Sequence, residues 1–160
     1  MGRQPLKREV AMIISYNKPT DYIIDHLRAD GIACKCCGLV NIDHRFLYHW
    51  GELRKEWGSP LTMNSICRCP AYNITEDVGG HKNSLHQTTN KKHGCNTCGA
   101  DVNVYGWFAA RKKDFAKLAL STGWSVGLAE NFIHIDRRTE VIKYKQTTFF
   151  YGSPPSWYGN

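Results

Sequence analysis

The order of helical and β-like patterns along the chain limits its fold more than any other feature. The first helical pattern lies in residues 41–60, where five apolar residues share one stripe: Phe46, Leu47, Trp50, Leu53 and Trp57. Asp43 is a suitable N-cap, Gly58 follows the end of the stripe and Pro60 lies beyond it. The pattern therefore predicts a helix between Asp43 and Gly58.

A second helix is predicted in residues 106–123, where it ends at Gly123. Its apolar face is expected to contain Phe108, Phe115, Leu118 and Ala119. Short β-like runs occupy residues 61–66, 100–105, 124–128 and 131–136. Because helices and strands are interspersed without a regular βαβ period, the sequence predicts an α+β fold in which a small antiparallel sheet packs with helices.

The length and charge of the chain limit its organisation and its partners. With 160 residues and no proline- or serine-rich linker, residues 1–160 are predicted to form a single domain. A monomer is favoured, although the oligomeric state is not fixed by the sequence. The 21 basic and 14 acidic residues give a net charge of +7, which favours polyanionic partners such as nucleic acid or a bacterial wall.

Two further features bear on the compartment. The apolar piece Val10 to Ile14 is too short for the core of a secretory signal, and no stretch approaches the roughly 20 apolar residues of a membrane span. We therefore expect synthesis as a cytoplasmic protein. The seven cysteines are an odd number, and in a reducing compartment they indicate thiols or metal ligands rather than disulfides.

The residues most suited to metal chemistry are two histidines and an aspartate. His86 lies late in a long polar segment, Asp101 opens one predicted strand and His134 lies in another. If these strands are neighbours and the loop delivers His86, the three side chains form a zinc site with an open fourth position. Each residue alone is more often an ordinary polar residue, so the prediction depends on the combination.

Four stretches resemble one known family: "RCPAYN", "VGGHKNSLH", "GADVNV" and "GWSVGLAENFIHIDRR". They are similar to the zinc-dependent D-Ala-D-Ala carboxypeptidase and murein endopeptidase family, which includes phage endolysins and shares a fold group with the hedgehog-type signalling domain. The resemblance extends from Cys34 onward and includes "CKCCG" and "YGSPPSW". It implies a zinc peptidase fold, with peptidoglycan stem peptides as the partner.

The resemblance also assigns roles to individual residues. His86, Asp101 and His134 match the zinc ligands, Arg68 matches an arginine that contacts the substrate, and Ser84 matches the serine two positions before the first histidine. The family usually has a shorter spacing between the first histidine and the aspartate, whereas fifteen positions separate them here.

The additional residues between these two ligands contain Cys95 and Cys98. A loop apart from the chemistry is the favoured interpretation of this insertion. A second, structural zinc held by Cys95, Cys98 and part of the Cys34-Cys36-Cys37 cluster is the alternative.

Two carboxylates are candidates for the general base of amide hydrolysis. Glu130 lies in the predicted loop before the last strand and is favoured as the base, because a loop residue can move over the metal. Asp136 shares a strand face with His134 and is expected to orient a metal ligand or the substrate.

The predicted function is zinc-dependent hydrolysis of peptidoglycan peptides. The chain is expected to reach the bacterial cell wall after phage-mediated release. A basic zinc-binding nucleic-acid module, which the seven cysteines and the lysine clusters would suit, is a weaker alternative. A second alternative is a non-catalytic relative that retains the metal site.

Overall fold

The computed structural model describes residues 22–159, so the predicted Val10 to Ile14 piece lies outside the described residues. The strands within this range are β1 (Tyr22–Ile24), β2 (Leu27–Arg28), β3 (Met63–Ser65), β4 (Gly99–Asn103), β5 (Ser125–Leu128), β6 (Phe132–Asp136) and β7 (Thr148–Phe150). The helices are α1 (Ala29–Ile32), α2 (His44–Trp57), α3 (Pro70–Asn73), α4 (Ala109–Ser121) and α5 (Arg138–Val141). None of these helices combines the length and apolarity that crossing a bilayer requires.

The larger sheet has the strand order β3-β4-β6-β5-β7, and β1 pairs with β2 in a separate two-stranded sheet. All pairs are antiparallel except β5 and β7, which run parallel. The α+β prediction is confirmed, and the four predicted strands correspond to β3, β4, β5 and β6. The parallel edge strand β7 was not predicted.

Helix α2 begins and ends as its sequence predicts. The carboxylate of Asp43 accepts a hydrogen bond from the backbone N–H of Arg45 at 2.9 Å. Gly58 has φ +71°, which is the left-handed conformation that commonly ends a helix. Phe46, Leu47, Trp50 and Leu53 are buried, so the predicted stripe faces the core.

Helix α4 covers Ala109–Ser121 and is therefore shorter than the predicted helix, which included Phe108. Phe108 is the N-cap of α4, its backbone is extended, and 85% of its surface is exposed. Because the helix begins at Ala109, Phe108 does not share the apolar face with the fully buried Phe115. Trp107 lies in the apolar cluster instead, where its ring stacks on Trp57 with 5.6 Å between the ring centroids.

The two faces of the sheet have different roles. One face contributes to the hydrophobic core beside Phe46, Trp50 and Phe115 through alternating residues of three strands: Ala100, Val102, Val126, Leu128, Ile133 and Ile135. On the opposite face, one row crosses four strands, and in it Asp101, His134, Gly127 and Phe149 are successive neighbours. The polar candidates for metal binding therefore lie on the sheet face opposite the core.

Candidate metal centre

Two of the candidate ligands are direct neighbours in the sheet. Asp101 on β4 pairs with His134 on β6, and their Oδ1 and Nδ1 atoms are 3.0 Å apart. The Nε2 atom of His86 lies 3.2 Å from that oxygen and 3.1 Å from that nitrogen. The structure thus brings together the three residues that the sequence suggested as metal ligands, and together they could hold a metal ion.

The backbone of His86 is fixed although it belongs to no strand. Its carbonyl oxygen accepts hydrogen bonds from the backbone N–H of Arg68 at 2.8 Å and from Oγ1 of Thr97 at 2.9 Å. Its own N–H donates to Oγ of Ser84 at 3.3 Å. Ser84 therefore shapes the turn that presents His86, and it also lines the adjoining groove.

The second nitrogen of each imidazole has its own partner. Nδ1 of His86 lies 2.9 Å from the carbonyl oxygen of Ile66, and Nε2 of His134 lies 2.9 Å from Oδ2 of Asp136. Such partners orient a ring and leave its other nitrogen as an electron-pair donor. Arg138 donates to both carboxylate oxygens of Asp136, at 2.8 and 2.6 Å, and so fixes that carboxylate in turn.

Charges at the site are strongly coupled. Burial would raise the pKa of Asp101, but the two neighbouring imidazoles hold it well below its ordinary range. Burial would lower the pKa of His134, but its hydrogen bonds with Asp101 and Asp136 raise it to about 9. Burial lowers the pKa of His86 despite the attraction of Asp101. A cation entering the site at neutral pH must therefore displace a proton from His134.

Arg68 occupies a position that the sequence did not reveal. Its Nη2 donates to Oδ2 of Asp101 at 2.9 Å, and its Nε donates to Oγ of Ser65 at 2.9 Å. The guanidinium therefore orients the carboxylate whose other oxygen faces the two histidines. Arg68 also lines the groove, and within residues 22–159 its Nη1 has no hydrogen-bond partner. That nitrogen is therefore left for a ligand.

The donor set fits zinc. Ligand atoms about 2.0–2.1 Å from a tetrahedral zinc ion lie about 3.3 Å from one another. The separations of 3.0 to 3.2 Å among the three donor atoms are close to this value. Two imidazoles and one carboxylate also match catalytic zinc sites, in which three protein ligands leave one position open.

A groove of about 740 Å³ adjoins the three candidate ligands. Its basic and histidine lining consists of Arg68, His81, His86, Lys92, His93, His134 and Arg138, and its aromatic lining consists of Phe132, Tyr144, Phe149, Phe150 and Tyr151. Among the described residues that line it, Asp101 is the only acidic one. The groove is therefore suited to a ligand with negative charge.

Gly127 allows aromatic rings to reach the site. In the row across the sheet it lies between His134 and Phe149, and a Cβ atom there would be 2.5 Å from ring carbons of Phe149 and 2.8 Å from the ring of Tyr151. Without that atom, the ring of Phe149 crosses the strand and lies 5.8 Å from the ring of His134. No sequence pattern indicated these aromatic residues directly, although Tyr151 belongs to the "YGSPPSW" stretch.

Glu130 is not brought to the three ligands. Its carboxylate is exposed and accepts hydrogen bonds from the backbone N–H of Ser156 at 2.8 Å and from its Oγ at 2.6 Å. It does not line the groove. A role as the base would require the turn before β6 to move and both hydrogen bonds to break.

The insertion between His86 and Asp101 is part of the groove. Lys92 and His93 line it, and Thr97 holds the carbonyl of His86. The expectation that the insertion lies apart from the site therefore needs correction. Its physical reason is that backbone hydrogen bonds, including Cys98 N–H to Leu85 C=O at 2.9 Å, tie the insertion to the segment that carries His86.

The alternative of a second zinc held by Cys95, Cys98 and the Cys34-Cys36-Cys37 cluster does not match the groups that the described residues form. Cys95 and Cys98 contact each other, and Cys98 is fully buried beside β4. Among residues 22–159, the other group of three that could hold a metal joins Cys34 and Cys37 to Cys69 instead.

The fold and the site define an α+β protein with a candidate metal centre that opens into a groove. The family model described as peptidase M15 matches residues 25–136, a range that contains all three candidate ligands. The match covers more than half of the chain, so the chain belongs to the peptidase M15 family. No curated protein and no solved structure matched the chain.

Proposed function

We propose that this chain is a zinc-dependent peptidase that hydrolyses peptide bonds of bacterial peptidoglycan. The observation that carries the proposal is the convergence of His86, Asp101 and His134 at a cationic groove. Stem peptides of peptidoglycan have free carboxylates, which match the positive lining. Membership of the peptidase M15 family supports the peptidase activity.

His86, Asp101 and His134 would hold the zinc ion through Nε2, Oδ1 and Nδ1. When bound, zinc supplies a Lewis acid that polarises a carbonyl and lowers the pKa of water towards about 7. The groove positions the substrate, and its aromatic wall at Phe149 and Tyr151 packs against the stem and limits access of bulk water.

Two groups of the groove can donate to an oxygen that gains negative charge. Arg68 offers Nη1 while Ser65 and Asp101 hold the rest of its guanidinium. Burial and the charge of Asp101 raise the pKa of Tyr151, so its phenol stays protonated and remains a donor. Donors that are already oriented before the reaction stabilise developing charge efficiently.

Because Glu130 does not line the groove, a histidine is the better candidate for the general base. His93 lines the groove, and burial followed by the nearby charges of Lys92 and Arg138 lowers its pKa, so its imidazole is neutral at pH 7 and can accept a proton. We assign it this role in preference to Glu130. His93→Gln should then lower turnover while zinc content is unchanged, and Glu130→Gln should not.

The test of the function uses purified peptidoglycan sacculi and the zinc-loaded protein. Mass spectrometry of the soluble products should reveal new free termini in the stem peptides or released D-alanine, and thereby which bond is cut. Chelation and His134→Ala should each abolish product formation. If the zinc-loaded protein releases no product from sacculi or from soluble stem peptides, the chain is a non-catalytic relative and the proposal fails.

A further inference from the structure

Four cysteine side chains lie close together at the start of α3: Cys34, Cys36, Cys37 and Cys69. The Sγ atoms of Cys34, Cys37 and Cys69 all lie within 4.8 Å of one another, and the thiol of Cys36 contacts that of Cys69. All four are free thiols. Thiolates bound at about 2.3 Å to a tetrahedral zinc ion lie about 3.8 Å apart, so the cluster has the size of such a site.

The backbone around Cys34 and Cys37 forms a tight loop that places both thiols on one side. The N–H of Gly38 donates to the carbonyl of Cys34 at 2.7 Å, and the N–H of Cys34 donates to the carbonyl of Leu39 at 3.0 Å. Gly38 has φ +72°, a conformation that favours glycine. A C-x-x-C pair followed by such a turn is therefore held in position before any ion binds.

Backbone donors point at the sulfur atoms. The N–H of Cys69 lies 3.2 Å from Sγ of Cys34, and the N–H of Tyr72 lies 3.4 Å from Sγ of Cys69. Hydrogen bonds from backbone N–H groups to sulfur are the contacts that orient cysteine ligands around a metal ion, which they bind as thiolates. Several thiolates in mutual contact repel one another unless a cation lies between them.

We propose that Cys34, Cys37 and Cys69, with Cys36 as the fourth ligand, bind a structural zinc ion that is separate from the His86 centre. A set of four cysteines fills a tetrahedral zinc ion and leaves no position for substrate. The ion would join the Cys34–Gly38 loop to the first turn of α3. Because Arg68 immediately precedes Cys69, the ion also fixes the segment that holds the Asp101 carboxylate.

Cys95 and Cys98 provide a matched control. They also form a C-x-x-C pair in contact, but within residues 22–159 no third histidine, cysteine or acidic side chain completes a metal-binding group with them. Cys95 is partly exposed, so serine at this position should be tolerated. Cys95→Ser should therefore leave the metal content unchanged.

The experiment counts zinc in the full chain by elemental analysis. We expect two zinc ions per wild-type chain, one in Cys37→Ser and in Cys69→Ser, and one in His134→Ala. Cys95→Ser should retain two. The proposal is overturned if the wild-type chain binds a single zinc ion and His134→Ala loses it. It is also overturned if the Cys69→Ser chain retains two zinc ions.

A spectroscopic measurement on the wild-type chain keeps the test valid if a cysteine variant fails to fold. Cobalt replacing zinc should show intense sulfur-to-metal charge-transfer absorption, which the two histidines and aspartate of the other centre cannot produce. Cys36→Ser should reduce this absorption and weaken cobalt binding; an unchanged spectrum and affinity would exclude Cys36 as a ligand. A Cys34–Cys37 or Cys36–Cys69 disulfide that persists in protein purified in the presence of a thiol reductant would refute the site.

Discussion

The carboxylate of Asp136 should control both zinc affinity and stability, and Asp136→Asn removes its charge at nearly constant volume. Burial would raise the pKa of Asp136, but Arg138 and His134 lower it to about 2, against an ordinary value of 3.8. This difference corresponds to about 2 kcal/mol in favour of the ionised carboxylate in the folded chain. Because the folded-state pKa is lowered, this stabilisation is present above about pH 4 and is lost as the pH falls towards 2.

The variant should therefore lose about 2 kcal/mol of unfolding free energy in urea at pH 7, measured without metal. Loss of a carboxylate partner of a metal-binding imidazole typically costs about 10- to 100-fold in metal affinity, which a competition titration with a chromophoric chelator would resolve. The reasoning is refuted if zinc affinity is unchanged in a folded variant, since His134 would then not depend on Asp136 for its orientation.

Three further predictions rest on other parts of the structure. The zinc affinity of the metal-free protein should rise by up to about tenfold per pH unit from about pH 6 to pH 8, because a proton on His134, whose pKa is raised, competes with the ion. A zinc affinity that calorimetry finds to be independent of pH would contradict this. Gly127→Ala should displace the ring of Phe149 and raise KM with zinc retained, whereas an unchanged KM would remove that ring from substrate binding. Asp43→Ala should lower the unfolding free energy by about 1 kcal/mol in urea titration, and no loss would mean that the N-cap is dispensable.

The parts of the fold that were predictable have strong local signals. Helix α2 has an N-cap, a buried stripe and a left-handed glycine within one short segment, so its limits follow from the sequence alone. The pairing of Asp101 with His134 was anticipated because strands alternate their side chains and both residues lie in clear β-like runs. Phe108 was misplaced because its backbone is extended, so it does not follow the rotation of about 100° per residue that would place it on the face of Phe115.

The parts that were not predictable depend on contacts between distant segments. Glu130 lies close to His134 in sequence, but a hydrogen bond with Ser156 near the C-terminus holds its carboxylate elsewhere. Arg68 was expected to contact the substrate, but its additional hydrogen bond to Asp101, 33 positions away, has no local signal. Cys69 joins Cys34 across 35 positions, and no spacing rule for a single cysteine could reveal that partnership.

If a metal ion binds at the His86 centre, the row that places Asp101 beside His134 makes its capture a late event in folding. These two residues are separated along the chain by α4 and β5, so their donor atoms meet only after β4 and β6 have formed a long-range pair. An unfolded chain has no such pocket, so zinc bound there would shift the folding equilibrium towards the native state, by about 2.7 kcal/mol when free zinc is a hundredfold above its dissociation constant. Release of bound zinc during denaturation should consequently coincide with separation of these two strands, which makes the metal an internal reporter of sheet integrity.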